Sequence, residues 1–245
     1  MTCASMLAWR FIAHPSSLRW WSRRCPSCEH GDVLHVEQLR LGPLWNFAYL
    51  LADYAAGEAL VVDPGREVEV VLARTQALGL RVTAAVATHF HTDHTAGLAA
   101  LVRETGAAVH IHHADADALR RAYDGPLHRV EHGERLRLGG HEIDLWHAPG
   151  HTPGSQWVVA GDAVFTGDAL MVGCIGRTGH EPDAAARMWE TVSTLVPRLP
   201  ESARIYPGHD YGPVRQSTVA EERQRNPCLH VTTLAAFLEC MREHQ

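Results

Sequence analysis

Lysine is absent from this chain, and all 22 of its basic side chains are arginine. That excludes Schiff-base and pyridoxal-lysine catalysis and P-loop phosphate binding, each of which needs a lysine amine. No run of about 18 apolar residues occurs, so no segment is predicted to span a membrane. A basic block is missing as well. The 28 acidic side chains leave a net charge of -6, which argues against a nucleic-acid partner. Cysteine is sparse: Cys3, Cys25, Cys28, Cys174, Cys228 and Cys240 are unevenly spaced. They read as reduced thiols of a cytoplasmic protein, not as a disulfide framework. Cys25-Pro-Ser-Cys28 has the spacing of half a zinc ribbon, but no second pair follows, so it reads as an exposed pair without function.

Acids are lacking from the first 24 residues, which carry Arg10, Arg19, Arg23 and Arg24 with several serines and three tryptophans. This segment resembles a transit peptide or an upstream start artefact more than a secretory signal, and residues 1–30 are expected to form a poorly ordered tail. Residues 31–215 are expected to make one domain, and 216–245 a helical extension packed on it. Strand-like alternation is predicted over 35–41, 47–51, 59–63, 81–88, 108–112, 134–138, 141–147, 156–160, 163–166 and 203–206. Helical spacing covers 67–78, 98–104, 114–122, 183–195, 219–225 and 232–242, with Asn226-Pro227 breaking the last two apart. Strand-rich halves interleaved with helices predict an α/β (α+β) fold of two packed sheets with helices outside.

What the chain has in plenty is histidine, 18 in all. The stretch from Thr88 to Gly97 holds His89, His91, Asp93 and His94. Alternate residues of an extended segment point the same way, so His89 and His91 can face one ion together. Asp93 and His94 come as the chain turns toward a helix near Ala96 and can reach a second ion. Downstream, three strand ends each present one more donor: His151 in Ala148–Gly154, Asp168 after Val164–Gly167, and His209 in Tyr206–Tyr211. Neutral imidazole and carboxylate suit zinc, iron or manganese. His110, His112 and His113 read as surface or packing residues. His147 reads as a neighbour of the site, and Cys174 as a small buried side chain, not a nucleophile.

The order HxHxDH, GHTPG, TGD and PGHD, from about Val36 to Tyr211, resembles the metallo-β-lactamase superfamily. The resemblance implies an αββα sandwich of two mixed sheets. It implies a first metal on His89, His91 and His151, a second on Asp93, His94 and His209, and Asp168 bridging. Asp63 would support the histidine loop from behind. Enzymes of the family that hydrolyse β-lactams usually carry cysteine or serine where Asp168 stands, which argues against that activity. Thr166–Leu170, Gly176–Thr178, Tyr206–Tyr211 and Thr218–Pro227 resemble the glyoxalase II and persulfide dioxygenase branch.

Two reactions follow from that branch. A binuclear centre of two divalent ions, zinc first and iron or manganese next, would hydrolyse a thioester of the hydroxyacylglutathione kind, with Asp93 as the catalytic group orienting the attacking hydroxide. A single Fe(II) on His89, His151 and Asp168 would instead oxidise glutathione persulfide. A non-catalytic metal-binding scaffold is the third reading. Arg177 and Tyr211 are the expected substrate contacts, the expected partner is a small thioester or glutathione-type molecule, and a homodimer is compatible with the sequence.

Overall fold

A computed structural model of the protein describes residues 33–244. The expected tail at 1–30 and the Cys25/Cys28 pair lie outside the described residues. Two six-stranded sheets dominate. The first runs in chain order through β1 (His35–Leu41), β2 (Asn46–Asp53), β3 (Glu58–Val62), β4 (Arg81–Val86), β5 (Ala108–His112) and β6 (His128–Val130). Its first three strands are antiparallel, and the pairings from β3 to β6 are parallel. The second sheet is built from β7 (Glu134–Leu138), β8 (His141–His147), β9 (Gln156–Ala160), β10 (Ala163–Gly167), β13 (Arg204–Pro207) and β14 (Ser217–Thr218). A hairpin of β11 (Leu170–Met171) and β12 (Cys174–Ile175) stands after β10.

The layers follow from period-two burial. Every residue of β2 is buried, and its side chains divide by parity. Phe47, Tyr49 and Leu51 join Leu60, Val62, Val158 and Phe165 between the two sheets. Ala48, Leu50 and Ala52 face the other way, toward α1 (Val68–Ala77) and α3 (Leu98–Thr105), sharing a core with Val71 and Leu101. On the second sheet Trp157 and Val159 pack against Met188 and Val192 of α5 (Ala184–Leu195). Strands buried on both faces read as near-continuous apolar runs, which is how β2, β3 and β10 look in the sequence. The molecule is therefore a helix–sheet–sheet–helix sandwich. Among the described residues no helix is long and apolar enough to cross a membrane.

Three features depart from the sequence reading. The helix expected to begin near Ala96 is α3, from Leu98, and the turn leading to it is itself a one-turn helix, α2 (Thr92–Thr95), which carries both Asp93 and His94. Gly65 N–H donates to His94 O at 3.0 Å and Gly97 N–H to Gly65 O at 2.6 Å, so the chain is pinned there before α3 begins. The strands β6, β11, β12 and β14 were not anticipated, because two or three residues are too few to show a period.

The third departure is a correction. Cys228 and Cys240 are joined by a disulfide, with Cα atoms 5.6 Å apart, so not all six cysteines are reduced thiols. Pro227 ends α6 (Val219–Arg225), and the chain folds back so that α7 (Leu234–His244) lies over the break. That reversal brings the two sulfurs within bonding range. Val219, Cys228, Phe237, Cys240 and Met241 all enter the core beneath the second sheet, so the helical extension shares that core.

Candidate metal centre

The centre lies where strands of both sheets end. Asp63, just past β3, has φ of 50°, a left-handed backbone that turns its carboxylate toward the end of β4. Asp63 Oδ1 accepts from Thr88 N–H at 2.7 Å, and Oδ2 accepts from Thr88 Oγ1 at 2.6 Å and from His94 Nδ1 at 3.0 Å. One buried acid thus fixes both the start of the histidine loop and the ring of its last member.

The seven expected donors converge. His89 Nε2 and His151 Nε2 each lie 3.0 Å from His91 Nδ1. His94 Nε2 and His209 Nε2 are 3.2 Å apart, and Asp93 Oδ2 is 3.6 and 3.5 Å from them. Asp168 sits between the two groups: its Oδ2 is 3.5 Å from His151 Nε2 and 3.3 Å from His209 Nε2. Gly208 lets the groups close up, since a Cβ there would collide with Asp168 Oδ1 and lie 3.0 Å from His94 Cε1.

The ring protons show that this donor set fits a cation. His94 gives its Nδ1 hydrogen to Asp63, and His209 gives its own to Leu44 O at 2.9 Å. Both Nε2 atoms then present lone pairs to each other, a contact that becomes a hydrogen bond between neutral rings only if one ring gives up its Nδ1 hydrogen bond. His151 is fixed in the same sense, with Nδ1 2.7 Å from Arg177 O. Asp168 Oδ1 is buried, 3.5 Å from His94 Nε2, and makes no hydrogen bond. Converging lone pairs and a buried orphan carboxylate oxygen are what a divalent ion satisfies.

The electrostatics divide the site. Burial, reinforced by His94, pushes His89 well below the usual imidazole range, and burial with His151 lowers His91. Both shifts favour the neutral, lone-pair-bearing ring that a metal ion takes. For Asp168 burial acts in the opposite direction, but His94 and His209 outweigh it and hold the carboxyl well below its usual range. Burial likewise opposes protonation of His94, yet Asp168 and Asp63 draw it well upward, and His209 is raised by Asp168. Positive charge is therefore favoured beside Asp168, whether as protons or as a metal ion.

A cleft of about 500 Å³ opens over these donors. Leu44, Met171, Ile175 and Tyr211 give it an apolar wall, and Arg66 and Arg177 supply its cations. Tyr211 stacks on His209 with ring centroids 4.6 Å apart. Arg177 both lines the cleft and orients His151 through its carbonyl. Cys174 is half-buried at the rim, its thiol pushed up by burial and by Glu222, so it stays protonated. His147 bonds Pro153 O at 2.8 Å and is outside the donor set.

Two supporting residues escaped the sequence reading. Asn46 Nδ2 donates to Asp93 Oδ2 at 3.0 Å. Asp115, 1% exposed, accepts from Phe90 N–H at 3.1 Å, Thr152 Oγ1 at 2.6 Å and Gly154 N–H at 2.7 Å. It therefore ties the loop bearing His89 and His91 to the loop bearing His151. In sequence it is merely an acid in the first turn of the short helix α4 (His113–Leu119), where a capping charge is ordinary.

A family profile for the metallo-β-lactamase superfamily matches residues 41–209. The chain belongs to this superfamily. Among curated relatives, the mitochondrial persulfide dioxygenase ETHE1 of Homo sapiens is 37% identical over 191 residues, covering 75% of this chain and 71% of that one. The hydroxyacylglutathione hydrolase of Anaeromyxobacter dehalogenans is also 37% identical, over 166 residues, 68% of this chain and 62% of the relative. The crystal structure of ETHE1 from Myxococcus xanthus superposes with a TM-score of 0.76 at 31% identity, covering 85% of this chain and 90% of that one. These relatives place this metallo-β-lactamase fold in the glyoxalase II/ETHE1 branch.

Proposed function

We propose that this protein is a binuclear metallo-hydrolase that cleaves a thioester of the hydroxyacylglutathione type, with two zinc-class ions. The observation that carries this reading is the second donor group: Asp93, His94 and His209 offer atoms within 4.8 Å of one another, as do His89, His91 and His151, and Asp168 reaches toward both. Two divalent ions bound there would supply a water ionised near pH ~7 and a Lewis acid for the carbonyl. Asp93 Oδ2, held by the Asn46 amide, is placed to orient that water and to take its proton. Burial opposes the charge on Asp93, but His94 and Asn46 keep its carboxyl below the usual range, so it is an ionised hydrogen-bond acceptor though a weaker base. Arg66 and Arg177 offer guanidinium forks to the carboxylates of a glutathione-type carrier, while Leu44, Met171 and Ile175 face the acyl part. A thiolate whose conjugate acid has a pKa of about 8.5 leaves without strong acid help, so the reaction makes little demand for a proton donor at the leaving group.

One observation favours a second reading. The match to human ETHE1 covers more of the chain than the match to the hydroxyacylglutathione hydrolase at the same identity. On that reading His89, His151 and Asp168 hold a single iron and the substrate is a persulfide. Metal content of protein purified without added metal, joined to two assays, separates the readings. Two zinc-class ions per chain with turnover of S-lactoylglutathione supports the hydrolase. One iron per chain with oxygen uptake on glutathione persulfide replaces it.

A further inference from the structure

A second gathering of metal-type donors lies outside the seven central residues. His112 ends β5, His113 opens α4 and Glu131 follows β6. One donor atom from each lies within 4.8 Å of the others. His113 Nδ1 is 3.0 Å from Glu131 Oε1, and the rings of His112 and His113 have centroids 4.3 Å apart. His147 stacks face to face on His112, centroids 3.8 Å apart and planes within 5°. Its Nε2 hydrogen goes to Pro153 O, which leaves the Nδ1 lone pair free of a proton.

An exposed His–Glu pair on its own would be an ordinary surface contact, worth at most about 1 kcal/mol. What distinguishes this pair is the company it keeps. His112 is 1% exposed, and burial with His147, His113 and His132 around it pushes its pKa down to about 3. Burial lowers His147 as well. The Ala114 N–H that faces His112 Nδ1 is 3.4 Å away, a weak contact that an ion could displace. Neutral rings crowded together beside a carboxylate make a nitrogen-rich donor set of the kind borderline divalent ions take.

We propose that His112, His113 and Glu131 form a peripheral site for one divalent transition-metal ion of the zinc class, with the His147 ring stacked on His112 beside it. The site adjoins the scaffold of the catalytic centre. Asp115, whose carboxylate ties the His89 and His151 loops together, stands two residues after His113 on the same helix. An ion on His113 braces that clamp from outside.

The test is a zinc count. Full-length protein is loaded with zinc, desalted to remove loose metal, and dialysed to equilibrium against increasing Zn2+. Wild type takes up one more equivalent than the double variant His113→Ala/Glu131→Gln, while both keep the same tightly held zinc. Both substituted side chains are half exposed or more, at 50% and 65%, so the fold tolerates their loss. Glu131→Gln alone weakens the extra uptake about tenfold and decides the matter if the double variant does not fold. In thermal unfolding, added Zn2+ raises the Tm of the zinc-loaded wild type and leaves that of the variant unmoved. Equal uptake by wild type and both variants, or no uptake beyond the tightly held zinc in wild type, overturns the proposal.

Discussion

At the scale of single residues, the side chains that hold the donors matter as much as the donors. Asp115 accepts three hydrogen bonds in a place without solvent, so Asp115→Ala leaves the Phe90 and Gly154 N–H groups unpaired and the Thr152 hydroxyl with Ser155 Oγ alone. The expected loss is about 3 kcal/mol of stability, read by urea unfolding, together with about a tenfold fall in metal affinity. Asp115→Asn keeps an acceptor and is expected to lose less. A wild-type unfolding curve for Asp115→Ala would show that the clamp is redundant. Gly208→Ala is a sharper probe, because its new methyl meets the Asp168 carboxylate and the His94 ring. It is expected to lower bound metal per chain at a modest change in unfolding midpoint. Unchanged metal content would mean that the Asp168 loop yields freely.

At the scale of elements, the Cys228–Cys240 bridge closes a loop with a sequence separation of 12 around the α6–α7 reversal. Opening it by Cys228→Ser with Cys240→Ser is expected to cost about 3 kcal/mol in loop entropy and to lower the Tm. All seven central donors precede this loop, so metal content is expected to stay at the wild-type value. Loss of metal from this variant would show that the reversal also holds the cleft. The same elements show what a sequence gives away. Strands such as β2 and β10 are legible because burial on both faces leaves an apolar run between turns. The candidate donors are legible because the HxHxDH, GHTPG, TGD and PGHD blocks occur together in one order, whereas the equally short spacing of His110, His112 and His113 reads as surface or packing. Asp115 and Asn46 are not, because they act on partners 25 to 47 residues away in the chain. Nor is the disulfide, which depends on how a proline break aims the following helix.

At the scale of the whole molecule, acid acts through rings distant in sequence from the central donors. His110 on β5 stacks on His128 of β6, centroids 4.9 Å apart, and burial with that neighbour lowers its pKa from 6.5 to about 4. The unfolded chain therefore binds a proton on this ring that the folded chain refuses between those values. The contribution of this ring to stability is full above pH 6.5 and is lost as the pH falls through that window toward 4. His110→Gln is expected to flatten this limb of the curve, seen as a smaller drop in unfolding midpoint from pH 7 to pH 5 than wild type shows. Equal drops would assign the acid limb to other groups.

The two sheets are stitched together at the metal-bearing edge. Phe47 N–H donates to Gly208 O, Asp210 N–H to Trp45 O, both at 2.8 Å, and Gln156 N–H to Thr88 O at 2.8 Å. Each stitch lies within three residues of a donor, and each joins a segment of one half to a segment of the other. A metal held at this seam would act as a gauge of alignment, because its donors come from both halves and a slip of one against the other would pull them apart.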